Sequence, residues 1–129
     1  MAELHVELVS AEREIWSGEA REVLAKTLDG EIGILPQHAP VLGTLVDGGL
    51  VRVLDDDHAE LVRAAVDGGF ISVANDRVSI LAETAELADE IDPSAARAAY
   101  DRARTSEDED AEAEAERAKA RLRAAGEEV

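Results

Sequence analysis

The sequence predicts an N-terminal antiparallel β-sandwich followed by a C-terminal α-helical hairpin. Three observations carry this. Apolar residues alternate in period two from residue 3 to about 90, turn-forming Asp, Asn and Gly pairs interrupt them at short intervals, and the period becomes helical after residue 90.

The strands follow in order. Leu4, Val6 and Leu8 share one face of the first, with His5 between them facing solvent. Similar runs occupy 21–28, 50–54, 60–66, 70–74 and 77–82. Between them stand Asp29-Gly30, Asp47-Gly48-Gly49, Asp55-Asp56-Asp57, Asp67-Gly68-Gly69 and Asn75-Asp76. The glycines read as turn positions with positive φ rather than as phosphate cradles. About ten short strands are expected, in a unit spanning 1–88.

Asp92 followed by Pro93 is a helix start: a capping carboxylate, then proline at the first helical position. Ala96, Ala99, Tyr100 and Ala103 then fall on one face. Thr105-Ser106 interrupts, and Ser106 with Glu109 suggests a capping box for a second helix. Ala111, Ala115, Ala118, Leu122 and Ala125 mark its apolar face, and Gly126 is a suitable stop. The hairpin unit is therefore expected over 91–126. Its faces are mostly alanine, which buries little area, so docking on the sandwich is expected to be marginal.

Composition limits the function. Only 2% of the 129 residues are aromatic, against 46% hydrophobic, so Val, Ile, Leu and Ala must build a thin core with little room for a large cofactor. The net charge of -17 disfavours nucleic acid and anionic membranes, since both need cationic side chains to displace counterions. Cysteine is absent, which suits a reducing compartment. The N-terminus does not read as a signal peptide, and no apolar run reaches the ~18 residues of a membrane span. A cytoplasmic protein without direct membrane insertion is expected.

Residues for catalysis are scarce. There is no phosphate-binding loop, no nucleophile elbow and no paired-histidine metal motif. His5, His38 and His58 are scattered. The aspartates at 55–57 read as a solvated turn. No cofactor is expected. Arg117, Lys119, Arg121 and Arg123 form a basic cluster late in the second helix, which opens with seven acids in 107–116. That asymmetry complements the helix dipole. Alternatively, the cluster meets an acidic partner.

The stretch "GEIGILPQHAP" (30–40) is a short strand ending in a loop bracketed by Pro36 and Pro40, which fix φ on either side of Gln37-His38-Ala39. With "VELVSAEREIWSGEA" before it and "GGFISVANDRVSILAETAE" after it, this stretch resembles the epsilon subunit family of F-type ATP synthases (delta in mitochondria). The likeness is actinobacterial-like in its alanine content and covers residues 2 to about 125. It implies a non-catalytic, peripheral subunit on the cytoplasmic side of the cell membrane, at the foot of the rotating central stalk. The implied partners are the gamma subunit, the c-subunit ring and, through extended C-terminal helices, the alpha and beta subunits. Those helices would inhibit ATP hydrolysis. It also assigns Glu31, His38, Ala39, Pro40 and Val41 to the c-ring contact, and the basic cluster to an acidic segment of the beta subunits.

One family feature is out of place. Some members bind ATP through an Ile/Leu-Asp-x-x-Arg-Ala motif. Here Ile91-Asp92 is followed by Arg97-Ala98, two residues late, a rotation of about 200° around a helix. Arg97 is therefore expected to face away from such a site. A reading of another class is a free-standing β-sandwich binding module whose hairpin is a dimerisation arm. It would need an apolar groove with convergent polar groups.

Overall fold

A computed structural model describes residues 3–127, so residues 1 and 2 of the expected N-terminal unit lie outside the described residues. Among those described, eight strands come first: β1 (Leu4–Ser10), β2 (Glu14–Ala20), β3 (Glu22–Thr27), β4 (Gly30–Ile34), β5 (Val41–Thr44), β6 (Asp47–Leu54), β7 (Glu60–Ala74) and β8 (Arg77–Leu87). A 3-10 turn at Ala88–Glu90 leads to helices α1 (Pro93–Thr105) and α2 (Ala111–Ala124). This is the β-sandwich plus helical hairpin that the sequence predicts, with fewer and longer strands.

The alternation of β1 translates directly into burial: Leu4, Val6 and Leu8 are fully buried while His5 is not. His5 instead receives Glu19 against its ring at 3.0 Å. The strand order is β2-β1-β8-β7-β6-β3-β4, with β5 pairing β7 off that path. The β1–β8 pair is parallel and the other pairs are antiparallel, so the sheet is mixed.

The strand count differs because Asp67-Gly68-Gly69 is not a turn. It lies inside the 15-residue β7. Residues 60–67 of that strand pair β6, and residues 70–73 pair β5, so one strand serves both layers. Ala64 and Val66 point into the core before the glycines, and Ile71 and Val73 after them, so the inward parity switches. Gly69, at φ +105, makes this possible: a Cβ there would lie 1.9 Å from the Leu81 carbonyl oxygen of β8. Asp47-Gly48-Gly49 likewise opens β6 with a register shift instead of forming a separate turn. The expected turns at Asp29-Gly30, Asp55–Asp57 and Asn75-Asp76 are hairpin turns. In the last, both residues take positive φ.

Asp92 caps α1, accepting from the Ser94 and Ala95 amides, and Pro93 is its first residue. The expected capping box at Ser106 and Glu109 does not form. Ser106 ends α1 and its hydroxyl accepts from the Asp108 amide, so the chain turns once more and α2 begins at Ala111. The reason is local: a serine hydroxyl bonds its near neighbour as readily as a helix end. At the other end Gly126 (φ +87) donates to Arg123 and Glu127 donates to Leu122, the paired bonds of a Schellman stop.

α2 is buried on two sides. Ala111, Ala118 and Leu122 lie on the expected apolar face. Ala120 and Ala124 form another, packed with Ala65, Leu50 and Ile91. So the hairpin is seated on β6 and β7, with α1 outside α2.

Candidate functional site

Two surfaces carry the residues singled out from the sequence. The first is the loop after β4. Leu35 to His38 form a turn with Pro36 at its second position and Gln37 at φ +71 at its third, closed by the His38 amide donating to the Leu35 carbonyl at 3.1 Å. This is the type II pattern, in which proline presets the first corner. The His38 ring then folds onto the chain: Nδ1 lies 2.7 Å from the Ala39 carbonyl oxygen. A carbonyl can only accept, so Nδ1 is the donor in this contact. Ala39 and Pro40 are exposed, and Val41 packs against the core as β5 begins. Glu31 is also exposed, but it pairs Lys26 near the opposite end of β4. Four residues of strand put it about 13 Å from Leu35. The structure thus brings His38, Ala39, Pro40 and Val41 together and leaves Glu31 apart from them.

The second surface is the seat of α2. Three of the four clustered basic residues have partners within the chain. Arg121 Nε donates to Glu86 Oε1 at 2.6 Å, and its Nη2 to Asp67 Oδ2 at 3.3 Å. Arg117 Nη2 reaches Asp47 Oδ2 at 3.3 Å. Lys119 pairs Glu116 one turn back at 3.3 Å and lies over the Tyr100 ring of α1. Arg123 is exposed. Asp67 is the centre of this group. It is only 9% exposed, and it also accepts from the Gly48 amide at 3.0 Å and the Thr84 hydroxyl at 2.9 Å. The helix backbone comes equally close: a Cβ on Gly48 would lie 2.5 Å from the Glu116 carbonyl oxygen. The seat is imperfect, however. Arg117 Nε is buried with no hydrogen-bond partner among the described residues.

Sequence reading missed this clasp. It marked the four bases but not the acidic partners of Arg117 and Arg121, which lie 35 to 70 residues away along the chain. The doubled Asp-Gly-Gly at 47–49 and 67–69 was a usable signal, because both aspartates prove to be partners of α2. At the base of the hairpin, Arg13 Nη2 bonds both Glu90 oxygens at 2.8 Å. That guanidinium, helped by the Leu87 amide, holds the Glu90 carboxyl below its ordinary pKa.

The groove between α1 and the sandwich is lined by Glu86, Glu90, Asp92, Ala95, Ala99 and Arg121 among others. Arg97 lines a different groove, with Ser94, Ala98 and Asp101. The two-residue displacement read from the sequence therefore does put Arg97 on another face.

A β-sandwich with a proline-bracketed end loop and a two-helix arm held on it by ion pairs is the architecture of the chain. The chain belongs to the ATP synthase delta/epsilon chain family: the family's β-sandwich domain matches residues 3–88. It is 57% identical over 101 residues to the ATP synthase epsilon chain of Thermobifida fusca, covering 78% of this chain and 74% of that one. It is 53% identical over 108 residues to the epsilon chain of Streptomyces avermitilis, covering 83% and 85%. Among solved structures, a chain of the Euglena gracilis mitochondrial ATP synthase OSCP/F1/c-ring assembly superposes with a TM-score of 0.77. It has 23% identity, over 98% of this chain and 81% of that one, so the likeness is one of fold. The family is one of non-catalytic subunits. The alternative of a free-standing module with a dimerisation arm loses its main support, because both apolar faces of α2 are covered within the chain. Among the described residues no helix is long and apolar enough to cross a membrane.

Proposed function

We propose that this chain is the epsilon subunit in the rotating central stalk of a proton-translocating F-type ATP synthase, held peripherally at the cytoplasmic face of the membrane. Residues 1–88 bind the gamma subunit and the c ring. Residues 91–126 form the regulatory hairpin that meets the alpha and beta subunits when extended. The observation that carries this is the family match over a sandwich whose end loop is bracketed by Pro36 and Pro40 and closed by a turn hydrogen bond. A loop fixed by two prolines loses little entropy on assembly, so its contact energy is kept for attachment. Including Glu31 in the same contact requires a partner surface broad enough to reach along β4 from the loop. A ring of subunits supplies that breadth.

The clasp supports the regulatory part. Arg117 and Arg121 face two competing sets of acids: Asp47, Asp67 and Glu86 in the docked hairpin, and an acidic segment of the beta subunits in the extended one. Partly exposed pairs contribute about 0.5 kcal/mol each, so the three docked pairs hold the hairpin by ~1.5 kcal/mol. Four new pairs in the extended state offer ~2 kcal/mol. The ionic contributions to the two states are thus of similar size, so a partner can bias the equilibrium.

Co-purification of the full chain with gamma and a c-ring assembly tests the attachment. Retention of both supports the reading, and recovery of the chain alone overturns it. Arg123→Glu separates the hairpin roles, because Arg123 is exposed in the docked state. It should raise hydrolysis by the assembled enzyme without loosening the docked hairpin.

A further inference from the structure

Two non-glycine residues in the left-handed region face one another at the loop end of the sandwich. Gln37 has φ +71 and Asp76 has φ +61. Side chains rarely adopt this backbone, and where they do the surroundings must hold it. In a two-residue hairpin turn such as Asn75-Asp76, glycine is the favoured second residue. An aspartate there points to a task for its side chain.

The contacts identify that task. In a turn of the type that closes Leu35 to His38, the amide of the third residue has no partner within the turn. Here that amide, Gln37 N–H, donates to Asp76 Oδ1 at 2.5 Å. The Asp76 carbonyl in turn accepts the His5 amide at 2.8 Å, which ties the turn to the start of β1. One residue thus bonds the loop with its side chain and the body of the sandwich with its backbone. The prolines stiffen the loop internally, but they do not fix its position relative to the strands. The Asp76 carboxylate ties the loop's first turn to the β7–β8 hairpin.

We propose that Asp76 is a positioning residue for the Pro36–Pro40 loop, holding it at a fixed place on the sandwich end for contact with its partner. This rests on the proposed function of that loop.

The test compares Asp76→Gly with Asp76→Asn. Glycine removes the acceptor and suits the turn, so the fold is kept. Asparagine retains an acceptor oxygen without the charge. Amide hydrogen exchange on the full chain is the first readout. The Gln37 amide should exchange at least about tenfold faster in Asp76→Gly, the factor one charge-assisted hydrogen bond is worth, and much less so in Asp76→Asn. Unchanged exchange in Asp76→Gly would overturn the proposal, whatever the loop binds. Proton-driven ATP synthesis by the assembled enzyme in vesicles is the second readout. A fall in Asp76→Gly with recovery in Asp76→Asn, at an undiminished melting temperature, supports positioning. If replacing His38-Ala39-Pro40 by Gly-Ser-Gly lowers synthesis and Asp76→Gly does not, positioning is refuted. If exchange quickens but neither change affects synthesis, the loop's assigned contact is what fails.

Discussion

Gly48→Val should release the hairpin from the sandwich. A Cβ at Gly48 would lie 2.5 Å from the Glu116 carbonyl oxygen, 2.6 Å from its carbon and 2.9 Å from the Arg117 nitrogen. All three atoms are helix backbone, so no side chain can swing aside. Ordinary contact begins near 3.4 Å, and α2 must therefore withdraw by roughly 0.9 Å. The bonds from Arg117 and Arg121 to Asp47 and Asp67, at 3.3 Å, would then be too long to count. With the Arg121–Glu86 bond strained as well, the loss is about 1.5 kcal/mol from three partly exposed pairs. Opening a gap of that size over Ala120 and Ala124 forfeits up to half of their dispersion contact, about 1 kcal/mol more. The sum of about 2.5 kcal/mol corresponds to a shift of roughly 70-fold toward the undocked hairpin. The chain has no cysteine, so spin labels at introduced Leu61→Cys and Arg123→Cys report the separation by pulsed dipolar spectroscopy. Gly30→Ala is the control. Gly30 also has positive φ (+116), but open space surrounds its Cβ position, so it suffers the backbone strain without touching the hairpin. If Gly48→Val and Gly30→Ala give the same docked distance, the backbone contact does not govern docking.

A chain ending at residue 88 should still unfold cooperatively on heating, because the core cluster draws on residues 4–87 and on no residue of either helix; a non-cooperative melt would show that the hairpin completes the fold. The isolated protein should bind ATP with a Kd above about 1 mM, equivalent to only ~4 kcal/mol, since Glu86, Glu90 and Asp92 line the groove and Arg97 lies elsewhere; micromolar affinity by calorimetry would contradict this. Glu60 gives a pH dependence. Burial raises its pKa, but bonds from Arg52 and Arg63 outweigh that and hold it below its ordinary value. Its stabilising contribution is therefore present at neutral pH and lost as pH falls through the depressed pKa. Glu60→Gln should lower the melting temperature at pH 7 and narrow the gap from wild type in acid, and a constant gap would refute the assignment.

What the sequence reveals depends on the range of the interaction. The alternation in β1, the Asp92-Pro93 cap and the Gly126 stop depend on near neighbours, and each was legible. Asp67-Gly68-Gly69 was legible as glycine conformation but not as geometry. The same positive φ serves a tight turn or a strand passing between layers, and only the packing of β5, β6 and β8 decides. Ser106 had two local partners to choose between, so its capping role could not be read from spacing. The clasp of Arg121 on Asp67 and Glu86, and the bond from Gln37 to Asp76, join distant segments through side chains alone. No periodicity records such pairs. The role proposed for the loop rests on its resemblance to a family, and the structure adds how the loop is held.

The most direct measurement of the central claim is proton-driven ATP synthesis in vesicles carrying the assembled enzyme. It compares wild type with a chain in which His38-Ala39-Pro40 is replaced by Gly-Ser-Gly. The replaced segment is a loop outside the core cluster, so the sandwich should melt as before. If this loop joins the stalk to the c ring, synthesis falls several-fold while the sandwich stays folded. Equal synthesis by both enzymes, with the altered chain present in the assembly, would contradict the account.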